Sequence, residues 1–450
     1  MNSYIKSMTL LFVLFSSGLT QNRVVGYYPE WVMSSMGVDE LDFSILSHVN
    51  QSFAWPSASG EIQSYAGMLD VDVNVTIHEN GGYISLCFGG WGNSAGFAPM
   101  TADPVSRANF ISNVIETCQY YEYDGVDFDW EHPANSTETD NYTLLIEELR
   151  AATDEIFDNF LITMAIPAGN WSGQHYDLTA LEPLVDWFNV MTYDYHGTWT
   201  THAGHNSPLY SSPANDPDGS CHTSINYILN SRHLDPAKVN LGLAFYGKEF
   251  AASAINGAST GGNITYQYND LIGFLDQGWS YHWDDVANNP YLQNPDMTRL
   301  ITYDDPNSIA LKCEYARTRE LGGVLIWALG QDFVAGEEVL LEAVRDYATP
   351  IEVPLLIPED VQLLSNYPNP FNPITTIRYG LPEAAQVTLF IYDIKGRKVR
   401  SLIGEQQAAG SYEYQWNGMD DSGQPVSTGL YLTRLQAGSY TKTIKMLYLK

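Results

Sequence analysis

Eight short apolar runs, rich in β-branched and aromatic residues, recur between residues 23 and 327 and alternate with amphipathic helical stretches. This alternation of strands and helices is typical of a parallel sheet. Eight repeats predict a closed (β/α)8 barrel, or TIM barrel, in the α/β class. The functional site of such a barrel lies at the C-terminal ends of its strands. The predicted strands are residues 23–28, 47–54, 82–88, 123–129, 160–166, 187–193, 239–245 and 323–327, and helical patterns include residues 106–120, 139–158, 308–320 and 337–347.

One connection is much longer than the others. It separates the seventh and eighth predicted strands, and its residues 248–302 are rich in Gly, Asn, Tyr and Trp. Because barrel connections are ordinarily short, a segment of this length is expected to form structure of its own. We therefore expect a small α+β subdomain inserted on the rim of a barrel domain that spans residues 22–348.

The two ends of the chain differ from the barrel region. Residues 1–21 combine one lysine, a short apolar run and small residues, which is typical of a cleaved export signal. Residues 349–360 contain three prolines and predict a linker. In residues 361–450, alternating runs separated by glycine-containing turns predict a small immunoglobulin-like β-sandwich. We expect a secreted protein with no integral membrane segment.

Charge and composition limit the partners of this chain. The net charge is −32: residues 1–354 carry −33 and residues 355–450 carry +1. Such a surface repels nucleic acid and anionic membranes, whereas a neutral polymer remains acceptable. Aromatic residues make up 13% of the chain, and their flat faces suit stacking on sugar rings as well as core packing. The four cysteines lack the spacing of a metal site, and buried free thiols are favoured over one disulfide.

The fourth predicted strand leads into YDGVDFDWEHP, residues 123–133, which places three acids two positions apart. Because side chains alternate along a strand, Asp127, Asp129 and Glu131 share one face and the apolar residues between them share the other. In a barrel, the apolar face packs under the helices and the acids point inward, toward the mouth. Carboxylates about 6.6 Å apart in a low-dielectric interior cannot all ionise. Glu131, nearest solvent, is therefore best placed to donate a proton.

Two other roles for these acids fit the sequence less well. A calcium loop requires a glycine and a bidentate glutamate at set positions, whereas the residues between these acids are large and apolar. A solvated strand face is unusual in a parallel barrel, because its strands are buried on both sides. The pattern therefore favours a catalytic acid site.

Residues 124–131 fit Asp-Gly-x-Asp-x-Asp-Trp-Glu, the signature of the family 18 glycoside hydrolases, the chitinase family. The chain resembles this family in order over residues 23–348. VVGYYPEW resembles its first strand, LSHVNQSFAW its second, ISLCFGGW its third, VDWFNVMTYDYHG its sixth, VNLGLAFYG its seventh and GGVLIWALGQD its eighth. The resemblance implies hydrolysis of β-1,4-linked N-acetylglucosamine polymers with retention of configuration and without a metal or organic cofactor.

The resemblance also implies roles for individual residues. Glu131 would protonate the glycosidic oxygen, while the acetamido carbonyl of the substrate attacks the anomeric carbon in place of a second carboxylate. Asp129 would orient the acetamido group, balance its positive charge and share a proton with Asp127. Tyr193 would hold the acetamido carbonyl. The residues assigned to substrate binding are Asp194, Met191, Trp327 beneath the reacting sugar, Trp91, Tyr27, Tyr246 and Phe53.

Three positions depart from the usual pattern of the family. Cys87 replaces a serine that helps to hold the first acid, and a thiol is a poorer hydrogen-bond donor. Lys248 replaces an arginine, so the rim lacks the planar guanidinium group that can donate two parallel hydrogen bonds. His132 follows Glu131 where an aromatic tyrosine is common, and we expect it either to be structural or to tune the surroundings of the acid.

The C-terminal residues resemble a second module. NYPNPFNP and the basic end KTIKMLYLK are similar to the C-terminal sorting domain of the type IX secretion system. The resemblance implies recognition by that machinery, and a secreted or cell-surface location in a Gram-negative-type bacterium. A carbohydrate-binding sandwich is the alternative, although Tyr412, Tyr414 and Trp416 alternate on one strand face, where core packing is the simpler role.

The sequence therefore predicts a secreted chitinase, which we expect to act as a monomer on chitin or chito-oligosaccharides. Within the enzymes, the nearest alternative is an endo-β-N-acetylglucosaminidase acting on N-glycans, a class that usually lacks the inserted subdomain. A chitin-binding lectin without activity typically lacks the terminal acid, which is Glu131 here. A cell-surface adhesion protein, with the barrel as a platform, is a role that the C-terminal module alone would allow.

Overall fold

The computed structural model describes residues 22–348, apart from 214–215 and 335, and residues 361–449, apart from 364–365, 367–368, 370, 372, 374, 383, 408–409 and 439. The predicted export signal and the predicted linker lie outside the described residues. The chain divides into two compact units, one covering Thr20–Pro350 and the other including Ile351–Lys450.

Eight parallel strands form a closed barrel in the first unit. They are β1 (Arg23–Pro29), β2 (His48–Pro56), β3 (Tyr83–Gly89), β4 (Gly125–Asp129), β5 (Leu161–Pro167), β6 (Trp187–Met191), β7 (Val239–Ala244) and β8 (Gly323–Trp327). Neighbours pair in the order β1-β8-β7-β6-β5-β4-β3-β2, and the pairing of β1 with β2 closes the ring. The short strand Ile62–Ser64 adds an antiparallel hairpin to β2. The predicted (β/α)8 barrel is confirmed.

Side-chain caps fix where the long outer helices begin. Asp103, Asn135 and Asp305 each accept a hydrogen bond from the backbone N–H three residues further on. A cap of this kind contributes about 1 kcal/mol to helix stability. The helices and helical turns of this unit are Glu30–Met33, Val38–Glu40, Val71–Glu79, Phe97–Ala102, Pro104–Tyr121, Ser136–Asp154, Asn170–Gly173, Leu178–Leu181, Cys221–Asn226, Tyr227–Ser231, Pro236–Lys238, Tyr268–Asp276, Pro306–Thr318, Val339–Glu342 and Arg345–Ala348.

The prediction of one helix over residues 337–347 is wrong. A two-residue strand, Glu337–Glu338, precedes two short helices, Val339–Glu342 and Arg345–Ala348. The buried carboxylate of Asp332 accepts hydrogen bonds from the backbone N–H groups of Leu340 and Leu341 at 2.7 and 2.9 Å. This tertiary cap sets the start of the first short helix, and a pattern of apolar spacing does not reveal it.

The two faces of β4 are buried in different ways. Val126, Phe128 and Trp130 point outward and are at most 3% exposed, and Phe128 packs against Tyr142 of helix Ser136–Asp154. The inward face carries the acids, next to a second cluster inside the barrel. That interior cluster consists of Val25, Tyr27, Phe53, Cys87, Trp187, Leu325 and Ala328. The predicted alternation of apolar and acidic side chains is confirmed.

An antiparallel sheet is inserted between β7 and β8. Its strands lie in the order Gly262–Gln267, Tyr246–Phe250, Leu300–Thr302, Asn289–Gln293 and Ser280–Asp284. The helix Tyr268–Asp276 follows the first of these strands. The strand Tyr246–Phe250 follows the end of β7 after one residue, so it continues directly from the mouth of the barrel.

The second unit consists of two antiparallel sheets around their own core. Trp416 is 1% exposed within that core, and Tyr412 and Tyr414 pack against it, as predicted. Half of the NYPNPFNP segment lies outside the described residues. One sheet contains Gln362–Leu363, Thr375–Leu381 and Gly410–Trp416, and the other contains Lys398–Gln407, Ala385–Asp393, Gly429–Ala437 and Tyr440–Tyr448.

Two further predictions can be compared with the fold. All four cysteines are buried and free, so the preference for thiols over a disulfide is confirmed. Among the described residues, no helix has the length and apolar character needed to cross a bilayer.

Candidate active site

The three acids of the signature form a line from the barrel interior to its mouth. Asp127 is fully buried, Asp129 is 5% exposed, and the Glu131 side chain is 16% exposed. Asp129 is the last residue of β4, and Glu131 lies just beyond the strand. A substrate entering the mouth therefore meets Glu131 first.

Asp127 lies at the centre of a hydrogen-bond network. Its Oδ2 accepts from the Tyr27 hydroxyl at 2.8 Å and from the Cys87 thiol at 3.1 Å. Its Oδ1 accepts from the Thr163 hydroxyl at 2.5 Å and from the Asn189 amide at 3.1 Å. Burial raises the pKa of Asp127, and these four donors oppose that shift. Cys87 thus keeps the contact that the sequence analysis attributes to a serine.

Asp129 has the opposite surroundings. Its Oδ1 is buried and accepts no hydrogen bond from any described residue. Burial, followed by the charges of Glu131 and Asp127, raises its pKa well above the usual value. Four donors stabilise a negative charge on Asp127, whereas none reaches Asp129 Oδ1. We therefore assign the proton shared by Asp127 and Asp129 to Asp129.

Glu131 has the properties of a proton donor at neutral pH. Burial, followed by the negative charge of Asp194, raises its pKa to about 7. The backbone N–H of Glu131 donates to the Ser94 hydroxyl at 3.0 Å, which fixes the start of the loop. A group with a pKa of about 7 is about half protonated at neutral pH, so it can donate a proton and then act as a carboxylate base.

His132 faces Glu131 as a neutral ring. Burial lowers the pKa of His132 to about 4, so the 3.5 Å contact between its Nε2 and Glu131 Oε2 is not an ion pair at neutral pH. The Tyr176 hydroxyl donates to the Trp130 carbonyl at 2.6 Å and lies 3.2 Å from His132 Nδ1. His132 Nδ1–H therefore donates to that hydroxyl, and its Nε2 turns a lone pair toward Glu131. This arrangement favours the protonated form of Glu131.

Asp194 joins the rim to the inserted sheet. It has a positive φ of 59° just after β6, and its Oδ1 accepts from the Tyr246 hydroxyl at 2.6 Å. Lys248 Nζ lies 2.6 Å from the same oxygen and 4.7 Å from the ring of Trp199. A lysine thus contacts Asp194 at the position where the family usually has an arginine.

Trp327 lies at the end of β8 in an aromatic cluster. Its ring centroid is 5.7 Å from Tyr27, 5.6 Å from Phe53 and 6.0 Å from Trp31. Tyr193 packs against the same interior cluster, with its ring 6.0 Å from Tyr246. Met191, the last residue of β6, is half-buried. The predicted site residues Trp327, Tyr27, Phe53, Tyr193 and Tyr246 therefore come together at one end of the barrel.

Trp91 extends from a turn that requires glycine. Gly89 has a φ of +119°, and a Cβ there would lie 2.1 Å from the Asp129 carbonyl oxygen. Gly90, also at positive φ, donates its N–H to that oxygen at 2.8 Å. The turn thus joins the third strand to the catalytic strand and leaves Trp91 80% exposed.

Several site residues were not singled out from the sequence. Thr163 on β5 and Asn189 on β6 hold Asp127, and polar residues at inward positions of apolar strands are the signal that could have found them. Trp171 is 82% exposed and contacts the His132 ring at 6.1 Å. Non-proline cis peptide bonds lie within β2 at Ser52-Phe53, just beyond β4 at Glu131-His132 and at the end of β8 at Trp327-Ala328.

Comparison with known proteins agrees with this geometry. The family model for glycosyl hydrolases family 18 matches residues 23–332, and the model for the FlgD Ig-like domain matches residues 373–441. Chitinase A1 of Niallia circulans is 28% identical, over 69% of this chain and 56% of its own length. Probable chitinase 2 of Drosophila melanogaster is 32% identical, over 56% of this chain and 57% of its own length.

A solved structure shows the same fold. The Group IV chitinase of Ostrinia furnacalis, solved in complex with allosamidin, matches with a TM-score of 0.67 and 27% identity over 72% of this chain and 98% of that chain. This chain spans little more than half the length of the two curated relatives named above. Since the family model covers most of the chain and includes the acidic strand, this protein belongs to family 18 of the glycosyl hydrolases.

Proposed function

We propose that this protein is a secreted chitinase that hydrolyses β-1,4 bonds between N-acetylglucosamine units with retention of configuration. The observation that carries the proposal is the graded burial of the three acids, which ends at Glu131 with a pKa of about 7. A proton donor poised near neutrality at the mouth of a barrel is what glycosidic cleavage requires. The two curated relatives described above are a chitinase and a probable chitinase by name.

The first step breaks the glycosidic bond. Glu131 transfers its proton to the leaving oxygen while the acetamido carbonyl oxygen of the bound sugar forms a bond to the anomeric carbon. The oxazolinium ion that results carries a positive charge, which Asp129 stabilises after passing its proton toward Asp127. The buried Tyr193 hydroxyl positions the acetamido oxygen, and Trp327 supports the sugar ring.

The second step adds water. The Glu131 carboxylate takes a proton from water, whose oxygen bonds to the anomeric carbon as the acetamido oxygen leaves. Because the anomeric carbon is attacked twice from opposite faces, the product keeps the β configuration. The three acids return to their starting protonation states.

The inserted sheet favours chitin over N-glycans as the substrate. It begins at Tyr246, whose hydroxyl contacts Asp194, and it carries Lys248 beside the exposed Trp199. The strand Tyr246–Phe250 of this sheet therefore lies at the rim beside Asp194, where it can add contacts for an extended polymer. An endo-β-N-acetylglucosaminidase would usually lack the insertion.

A product assay tests the proposed function. The purified protein is incubated with a chitin hexamer and, separately, with an N-glycosylated protein, and products are followed by mass spectrometry and by proton NMR of the anomers. We expect shortened oligomers whose new reducing ends are first β. Cleavage of the glycoprotein alone would assign the protein to the N-glycan enzymes, binding without cleavage would assign it to the lectins, and an initial α product would refute the proposed mechanism.

Replacing Asp194 should shift the pH dependence of the reaction. In Asp194→Asn the negative charge that raises the pKa of Glu131 is lost, so Glu131 ionises at lower pH. We expect the alkaline limb of the kcat/KM profile to move down by roughly half to one pH unit. The exposed Asp140→Asn removes the same charge elsewhere and should leave the limb in place. A limb that stays fixed or rises in Asp194→Asn would contradict this account of the Glu131 pKa.

Trp171 should contribute to the binding of long substrates. It is exposed and packs edge-on against His132, the residue that follows Glu131, where a sugar outside the reacting position can stack on it. We expect Trp171→Ala to raise KM for a hexamer by roughly 3- to 10-fold, as one aromatic contact is worth about 0.5–1.5 kcal/mol. Tyr120→Ala, at the C-terminal end of an outer helix, is the matched control and should change nothing. An unchanged hexamer KM in Trp171→Ala would remove this residue from the binding site.

We also propose that the C-terminal sandwich directs export through the type IX secretion system. The proposal is supported by the resemblance of NYPNPFNP and the basic C-terminus to that sorting module and by the immunoglobulin-like match of residues 373–441. In a bacterium that carries this machinery, the full chain should reach the medium or the cell surface, and a chain lacking residues 361–450 should remain inside the outer membrane. Equal export of both chains would refute the proposal.

A further inference from the structure

Four potential metal ligands meet in the connection that follows β6. His196, His202, Asp216 and Asp218 each bring a nitrogen or a carboxylate oxygen to within 4.8 Å of the others. His196 Nε2 lies 3.0 Å from His202 Nε2, 3.1 Å from Asp216 Oδ2 and 3.5 Å from Asp218 Oδ2. The side chains of His196 and Asp216 are only 1% exposed. None of the four takes part in the proposed reaction.

The hydrogen bonds of His196 show which of its nitrogens is free to bind a cation. Its Nδ1 lies 2.8 Å from the His205 carbonyl oxygen, which can only accept, so Nδ1 carries a hydrogen. In a neutral ring, Nε2 then has a lone pair, and this lone pair faces the carboxylate of Asp216 in a buried setting. Two electron-rich atoms 3.1 Å apart repel each other unless a cation or an extra proton lies between them. A histidine that donates one N–H to a backbone carbonyl and turns its other nitrogen toward ligands is the usual arrangement in metal sites.

The backbone is also adapted to this ring. A Cβ on Gly204 would lie 2.2 Å from His196 Nε2. Glycine at this position therefore allows the ring to sit against the chain with its nitrogen directed at the other ligands. The connection between β6 and helix Cys221–Asn226 is thus built closely around His196.

We propose that His196, His202, Asp216 and Asp218 bind one Zn²⁺ ion. Zn²⁺ bound to nitrogen and carboxylate oxygen at about 2.0–2.2 Å in a tetrahedron would separate its ligand atoms by about 3.3–3.6 Å. With His202 bound through Nε2, the separations are 3.0 Å to His196 Nε2 and 3.4 Å to Asp216 Oδ2. His196 Nε2 lies 3.1 Å from Asp216 Oδ2 and 3.5 Å from Asp218 Oδ2, so these four distances lie at or slightly below the tetrahedral range. Two imidazoles with two carboxylates favour Zn²⁺, since Ca²⁺ and Mg²⁺ prefer oxygen ligands alone.

The ion would hold the rim of the active site in place. His196 lies two residues after Asp194, and Trp199 lies between His196 and His202. Trp199 in turn contacts Lys248, which pairs with Asp194. Bound Zn²⁺ would therefore tie this loop together beside the sugar-binding residues without entering the hydrolysis itself.

Metal analysis of the full chain tests the proposal. The protein, purified without a histidine tag, is stripped with a chelator, and Zn²⁺ is added back while binding is measured by calorimetry and stability by thermal unfolding. We expect about one Zn²⁺ per chain, with loss of the ion lowering the unfolding temperature. In His202→Ala the affinity should fall by about 100-fold or more. The control His233→Asn, an exposed histidine at positive φ, should bind as the wild type does.

A second measurement does not depend on how well a variant folds. Co²⁺ bound to the stripped wild type should give the intense visible absorption bands of a tetrahedral site, and excess Zn²⁺ should remove them. Substoichiometric Zn²⁺ in the wild type would overturn the proposal and leave a cluster held by an extra proton. Equal affinity in His202→Ala, or stoichiometric Ca²⁺ in place of Zn²⁺, would overturn it as well.

Discussion

Glu131→Gln should lower the turnover of a chitin hexamer by about 10³- to 10⁴-fold while leaving its binding within a few-fold of the wild type. Glutamine has the shape of the protonated acid but has no proton to transfer, so the bond to the leaving sugar breaks without acid assistance. The expected loss corresponds to about 4–5.5 kcal/mol of transition-state stabilisation. Turnover is measured by product formation and binding by calorimetry. Equal turnover in both proteins would exclude Glu131 from the reaction.

The same substitution has a second signature in stability, and its sign depends on pH. Burial raises the pKa of Glu131 from its usual value of 4.5 to about 7 in the folded protein. The folded protein therefore binds this proton more tightly than the unfolded chain does. The wild type therefore loses up to about 3 kcal/mol of unfolding free energy as the pH rises from about 4.5 through 7. Glutamine cannot ionise and escapes this loss. We expect Glu131→Gln to be more stable than the wild type at pH 8 and to lose that advantage at pH 4.

The fold could be predicted because its signals are local. The alternation within β4 assigns Val126 and Phe128 to the helices and Asp127 to the interior, and the structure agrees. The split of residues 337–347 could not be predicted in the same way. Asp332 lies outside that segment, and its contribution is a hydrogen bond formed only after the chain has folded.

The part of the site that lies on one strand could be predicted from the sequence. The part that is assembled from side chains of several strands could not. Asp127, Asp129 and Glu131 stand together in the sequence, whereas Thr163 and Asn189, which hold Asp127, come from two other strands. The four proposed metal ligands show the same limit. They lie at unequal intervals between residues 196 and 218, so they match no spacing motif. Only the folded connection brings their ligand atoms together.

Asp129→Asn should reduce turnover by about 10²- to 10³-fold and leave the folded protein nearly as stable as the wild type. The loss of rate follows because an amide cannot supply the negative charge that balances the oxazolinium ion. The stability follows from the assignment of the resting proton to Asp129, since asparagine then replaces a neutral group of the same shape. We expect a change in unfolding free energy of about 0.5 kcal/mol or less at neutral pH.

Asp127→Asn is the matched comparison, because it changes the partner acid in the same way. The side-chain amide nitrogen of the new asparagine, itself a donor, must face either Tyr27 and Cys87 or Thr163 and Asn189. Both pairs consist of hydrogen-bond donors, so either orientation brings donors face to face. A buried clash of donors costs about 1–3 kcal/mol, so Asp127→Asn should be clearly less stable than Asp129→Asn. Chemical denaturation of both variants at neutral pH measures the difference. If Asp129→Asn proved the less stable of the two, the charge would reside on Asp129 and the proton on Asp127, and the electrostatic order of the site would be the reverse of the one argued above.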